Sequence, residues 1–282
     1  MLSGVVVKAG VFPLVRLALM IEEINPTVRF FGVATALLGV AYAVFEKDTK
    51  RMLAFHTISQ LGFVLAAPVV AGFYAFTHGL VKSALFLIAG ILPSRNFKEL
   101  QHQSLAFNIW LALLIASFSI SGFPLLAGFG AKVLTTKNFL PWQVIAMNIA
   151  ALGTAISFAK FIFLPHHKWS WHGHKIVKTD GKTREKGDGE KKIQSGFWWA
   201  MLILLGGLIV ANVVYYEAYT VQNLIKPLVT IAIGWAVYLL VIKKLAIKLP
   251  RAIEQFDHLI GVMSLTLILL FWTIWARSQS LI

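Results

Sequence analysis

Long apolar runs follow one another along most of this sequence. Each is close to the roughly 20 residues that an α-helix needs to cross a hydrocarbon layer. Nine can be read: 2–20, 29–46, 51–70, 73–93, 105–135, 142–165, 197–217, 225–243 and 256–276. Lipid offers the main chain no hydrogen-bond partners, so segments of this kind fold as helices. The composition agrees: 58% of residues are hydrophobic and 13% charged, against about 25% charged in soluble domains. The expected fold class is therefore all-α, a polytopic transmembrane helical bundle of about nine spans. Nothing at the start has the basic head, short apolar core and small-residue cleavage site of a removable signal.

The fifth segment is too long for one straight span. It contains Gly122, Phe123 and Pro124, then Gly128 and Gly130. Proline removes a main-chain donor and glycine loosens the backbone, so a broken helix is expected there, lined by protein or by a wet cavity. Lysines and arginines divide unequally between alternate loops. Lys47, Lys50, Arg51, Arg95, Lys98, eight more over 168–192, Lys243, Lys244, Lys248 and Arg251 fall on one side, and Arg29, Lys137, Lys226 and Arg277 on the other. Basic loops stay cytoplasmic, which predicts that the first group faces the cytoplasm and that the C-terminus is extracytoplasmic. The stretch 166–195 is rich in Lys and Gly and reads as a basic cytoplasmic loop.

Five cations lie inside apolar segments: Lys8, Arg16, Lys82, Lys132 and Lys160. A charge at the bilayer centre costs about 2.5–3.5 kcal/mol on insertion scales. Arg16 and Lys160 sit near segment ends, where a long side chain can snorkel to the interface. Lys82 is placed near mid-membrane, and Lys132 follows the expected break. A lysine removed from water releases its proton more readily and can then serve as a relay. The alternative is a lysine locked in an ion pair that only joins helices. Glu22, Glu23, Glu46 and Asp48 lie at segment ends, so few acids are placed to pair, which favours the relay.

His78 precedes Lys82 by four residues and shares its helix face. Its two ring nitrogens suit proton transfer, and packing is the alternative. His56, beside Thr57 and Ser59, reads equally as a capping residue or a site of proton uptake. Ser117, Ser119 and Ser121 precede the break and can hold water or freed carbonyls. His166, His167, His172 and His174 look like a metal tract, but their flexible basic surroundings favour a solvated loop. No metal site, cofactor-binding motif or catalytic triad is apparent. Cysteine is absent, which excludes disulfides and thiolate-bound iron–sulfur clusters within this sequence.

Four ordered blocks carry a resemblance. LSGVVVKAGVFPLVR (2–16), GVATALLGVAYAVFEKDTKRMLAFHTISQLGFVL (32–65), FTHGLVKSALFLIAG (76–90) and SGFPLLAGFGAK (121–132) resemble consecutive helices of the antiporter-like membrane subunits shared by respiratory complex I and Mrp-type Na⁺/H⁺ antiporters. The stretch 216–276 is more weakly similar to the tail of the Mrp D-type subunit. The resemblance implies one inverted-repeat half of that fold. Residues 1–28 would be the last helix of a first repeat, 29–165 a second five-helix half-channel with its break near 121–135, and 196–282 a three-helix tail.

The resemblance also implies roles. Lys8 matches the lysine closing the first half-channel, Lys82 the central lysine of the second, Lys132 the lysine on the broken helix, and His78 a histidine on the central axis. Gly122, Pro124 and Gly128 match the break itself, whereas His56 departs from the usual Tyr-Ser pattern. The first block corresponds to the family's eighth helix, which implies a separate chain supplying the preceding helices, or a truncated product. The expectation is a proton-translocating, Na⁺/H⁺ antiporter-type subunit in an energy-transducing membrane, with lipid, H⁺, possible Na⁺ exchange and other subunits as partners and with no nucleic acid. Alternatives are a proton-pumping subunit of an NADH/quinone oxidoreductase-type complex, with no redox chemistry of its own, and a structural subunit without transport.

Overall fold

The computed structural model describes residues 2–167, 195–213 and 215–245, with Ile247 and isolated positions between 264 and 279. Most of the basic loop, including His172 and His174, lies outside the described residues, as does nearly all of the ninth apolar segment and with it the C-terminus.

The described residues form α-helices α1 (Val7–Met20), α2 (Asn25–Phe45), α3 (Thr49–Ala66), α4 (Ala71–Ile91), α5 (Phe97–Leu100), α6 (Phe107–Ser121), α7 (Ala127–Lys137), α8 (Pro141–Ile162), α9 (Ser195–Val213) and α10 (Val221–Val237). Single π-helical turns precede α1 at Leu2–Val6 and extend α10 at Tyr238–Ile242. Among the described residues, five stretches are long and apolar enough to cross a membrane: Asn25–Phe45, Pro68–Ile91, Pro141–Ile162, Ser195–Val213 and Val221–Ile242. The chain folds as an all-α membrane bundle. Its long fifth apolar segment divides into α6 and α7, with an irregular turn between them.

Local chemistry sets the helix ends. The Asp48 side chain accepts from the Arg51 N–H at 2.9 Å and starts α3. The Gln143 side chain accepts from the Leu140 N–H at 2.8 Å and closes the first turn of α8 behind Pro141. At one end of the bundle the loops are laced together, with Thr49 N–H donating to the Arg95 carbonyl and His167 N–H to that of Leu105. Glu46 lies at this end. It accepts from the N–H groups of Lys47 (2.8 Å) and Asp48 (3.1 Å) and from Arg51 Nε (3.1 Å).

In lipid, helices associate by close packing rather than by the hydrophobic effect. The α2–α3 pair achieves this with small residues. A Cβ on Gly39 would lie 2.4 Å from the Ser59 nitrogen, and one on Gly62 would lie 2.4 Å from the Ala36 nitrogen. Ser59 Oγ donates to the Ala36 carbonyl at 2.9 Å across the same seam. At the other end, buried Arg29 ties four elements together. Its Nε donates to Asn25 Oδ1 (2.6 Å), and Nη1 donates to the carbonyls of Ala66 (3.0 Å) and Asn138 (2.8 Å) and to Gln143 Oε1 (3.3 Å).

The seam and the loop end each make a measurable difference to stability. Gly62→Ala forces main chain apart where nothing flexible can yield. It should cost about 1–3 kcal/mol in thermal unfolding of the detergent-solubilised chain. Gly90→Ala, which faces open space, should change little. For Glu46, burial alone would raise the carboxyl pKa, but the Asp48 and Lys47 N–H groups and Arg51 more than offset this and hold it below the ordinary 4.5. Its contribution is therefore complete above that value and is lost as pH falls through the lower folded value. Glu46→Gln should flatten the acid side of the stability profile.

Candidate functional site

Lys82 sits mid-way along α4 and is fully buried. Its Nζ donates to the Leu53 carbonyl of α3 at 2.7 Å and faces the rings of Phe158 and Phe86 at 5.7 and 6.0 Å. An ammonium carries three donors, and a single carbonyl meets them here. No Asp or Glu is buried among the described residues, so the ion-pair alternative has no acid at Lys82.

His78 is buried one turn earlier on the same helix, and both of its ring nitrogens are without a hydrogen-bond partner. The same holds for His56, whose ring lies 4.7 Å from that of Phe158. Phe158 is thus a wall shared by His56 and Lys82. His56 does not cap α3, because Asp48 does; it lies two turns inside the helix. Lys8 is half-buried and donates to the Gly4 carbonyl in the π-helical turn. Its Nζ lies close to Gly79 of α4: a Cβ there would be 3.8 Å away, in ordinary contact. Lys8 therefore packs on α4 at Gly79, the residue that follows His78.

Lys132 lies on α7 beyond the break. Its Nζ donates to the Ser121 carbonyl at 3.1 Å, and its stem crosses Gly122, whose Cβ would lie 2.7 Å from Lys132 Cδ. A small cavity of about 10 Å³ has His78 and Lys132 both in its wall, with Gln60, Tyr74, Thr77 and Ser119. That is room for about one water. A second cavity, of about 250 Å³, opens beyond Lys132 between α7, α8 and α10. Ser117 and Ser119 have buried, unpartnered hydroxyls, and Ser121 donates to the Ser117 carbonyl at 2.7 Å.

Lys160 does not snorkel. It is buried and donates to the carbonyls of Ala43 (3.1 Å) and Glu46 (2.8 Å), over the Phe97 ring at 5.6 Å. A cation at the C-terminal end of α2 satisfies carbonyls that the helix leaves free. Arg16 is exposed. His166 packs flat on Trp110 with ring centres 3.7 Å apart.

The break has its own supports. Gly122 takes φ 86° and its N–H bonds back to the Ser119 carbonyl, while the Phe123 N–H bonds to that of Phe118. Pro124 follows, and Leu125 takes φ 75°, unusual for a residue with a branched side chain. A Cβ on Gly128 would meet the Ser119 oxygen at 1.7 Å, so only glycine lets α7 start against the end of α6. The Leu125 N–H donates to Tyr219 Oη at 2.9 Å, and Asn212 Nδ2 donates to the same oxygen at 2.6 Å. The Tyr219 ring lies 4.9 Å from that of Phe129.

The family model described as NADH:quinone oxidoreductase/Mrp antiporter, TM, matches residues 1–157. The chain belongs to this family. It is 33% identical over 181 residues to NADH-ubiquinone oxidoreductase chain 5 of Paracentrotus lividus, which covers 57% of this chain and 28% of that protein. It is 35% identical over 146 residues to a probable K⁺/H⁺ antiporter subunit of Rhizobium meliloti, covering 46% of this chain and 15% of the other. Its fold is similar to a chain in the structure of the Mrp complex from Dietzia sp. DQ12-45-1b, with TM-score 0.66 at 20% identity over 97% of this chain and 33% of that one. The chain thus spans about a third or less of these relatives' lengths.

Lys8, His56, His78, Lys82 and Lys132 all fall within the segment that matches the antiporter-type family. Tyr219 and Asn212 lie outside it, and no motif in the sequence points to them. A tyrosine and an asparagine in or beside an apolar segment are the signal that marks them. Tyr219→Phe removes the acceptor of the Leu125 N–H, a bond worth about 0.5–1.5 kcal/mol. Amide hydrogen exchange should quicken in 122–129 and stay unchanged in α2 and α3.

Proposed function

We propose that this chain is a proton-translocating membrane subunit of an Mrp-like antiporter or complex-I-like assembly, with its buried lysines and histidines as the relay. The observation that carries this reading is His78. Its two unpartnered ring nitrogens are buried beside Lys82, and it shares a water-sized cavity with Lys132. In this reading protons are taken up near His56 from the cytoplasmic side, pass Lys82 and His78, and reach Lys132 through the water. They leave by the larger cavity, or travel the reverse way. Lys8 adjoins His78 and couples this half-channel to the preceding one. The break at Gly122, Pro124 and Gly128 frees the Ser121 carbonyl on which Lys132 rests.

The same reading makes 29–165 one half-channel repeat, 1–28 the last helix of another, and 196–282 a membrane tail. It places the well-populated basic loops in the cytoplasm. Other subunits are its partners, and H⁺ with Na⁺ or K⁺ its ions. Relatives named as antiporter subunits and as oxidoreductase chains both support the coarser function. A proton-pumping role beside redox subunits is therefore the second reading. The finer Mrp D-type assignment rests on the similarity of 216–276.

Lys82→Ala or Lys132→Ala should leave assembly of the complex largely intact and abolish proton flux in inverted vesicles. Wild-type flux from either variant refutes the relay, and lost assembly with normal specific flux favours the structural alternative. Quinone-dependent acidification, as against cation-dependent pH change, separates the two transport readings.

A further inference from the structure

The larger cavity has a lining that proton release alone does not require. Lys132, Lys137 and Lys226 converge on it with Asn148, Asn223 and Thr230, in a volume of about 250 Å³, and no carboxylate lines it. Lys137 and Lys226 are exposed, and among the described residues neither ammonium is in an ion pair. On α10, Asn223, Lys226, Pro227 and Thr230 fall on one helix face. Asn148 is exposed two turns inside α8, where a bare amide is poorly served by hydrocarbon.

The neighbouring faces are apolar. Ile145 and Ile149 of α8 are 75% and 55% exposed, and Ile225, Leu228 and Val229 of α10 are also exposed. The pocket lies where α7 ends and α8 and α10 begin, at one boundary of the bundle. Cationic donors at the boundary, set between apolar rails that run inward, match a molecule with an oxyanion at one end and hydrocarbon at the other. Three ammonium groups without an acid repel an alkali cation.

We propose that this pocket binds the headgroup phosphate of an anionic phospholipid. Lys137 and Lys226 pair with the phosphate oxygens, Asn148 and Asn223 donate to the headgroup, and the acyl chains run along Ile145, Ile149 and Leu228. Free inorganic phosphate offers the same oxyanion but has no use for the rails. The site stands on charge and shape and does not depend on the transport reading.

The test uses the full chain purified in nanodiscs of phosphatidylcholine with a minor share of phosphatidylglycerol, and native mass spectrometry of the lipid it retains. Retained lipid should be enriched in phosphatidylglycerol. Lys137→Gln and Lys226→Gln should each reduce that preference by roughly fivefold without altering thermal unfolding. Lys50→Gln and Lys98→Gln, at the opposite end, should leave it intact. Equal retention of the two lipids, or an undiminished preference in the Lys137→Gln/Lys226→Gln double variant, overturns the proposal. Lysine-dependent binding of inorganic phosphate in pure phosphatidylcholine discs, matching that of the lipid, overturns the lipid source in favour of a free anion.

Discussion

The cations embedded in this bundle are held by main-chain carbonyl oxygens. Lys8 rests on Gly4, Lys82 on Leu53, Lys132 on Ser121, Lys160 on Ala43 and Glu46, and Arg29 on Ala66 and Asn138. A carbonyl is a dipole, so it stabilises an ammonium less than a carboxylate does. It also loses less when the ammonium becomes neutral, because an amine N–H still donates to it. A carboxylate stripped of its partner in low dielectric would be left with an uncompensated charge, at a cost of several kcal/mol. Carbonyl ligation therefore lets a lysine exist in both protonation states at one position, which a relay needs and an ion pair opposes.

The number of acceptors separates two uses of the same device. Arg29 meets two carbonyls and two side-chain oxygens, and Lys160 meets two carbonyls at the end of α2. Both sit at helix termini, join elements far apart in sequence, and behave as rivets. Lys82 and Lys132 each meet one carbonyl and border other polar groups, whose own partners are incomplete at His78, His56 and Ser119. Few partners at one place and more at another, within one bundle, argue that the former is there for water and protons rather than for cohesion.

Much of this is legible in the sequence. The length of each apolar segment gives its helix, and Gly122 with Pro124 marks where the fifth one divides. The depth of Lys82 follows from its place in α4. Other features are hidden because the pattern that reveals buried faces in soluble proteins fails here. When most residues are apolar, hydrophobic periodicity no longer points to a partner. Lys160 near a segment end reads as a snorkelling side chain, since its carbonyl partners lie 117 and 114 residues away. Gly39 and Gly62 carry no mark of the close contact they permit.

The break between α6 and α7 shows how the two parts of the chain depend on each other. Gly122 can adopt a positive φ at little cost, but Leu125 cannot. Its conformation persists because Tyr219 takes its N–H, and Tyr219 is in turn fixed by Asn212 and by packing on Phe129. Tyr219 and Asn212 come from the segment before α10 and from α9, beyond the span that matches the family. A broken helix in hydrocarbon is stable only while its freed groups have partners. The segment that links α9 to α10 supplies one of those partners, Tyr219, to the turn that lies between the Ser121 carbonyl and the helix of Lys132. A change in how that segment sits would reach Lys132 by this route, through a hydrogen bond and a tight turn, without a moving part inside α4.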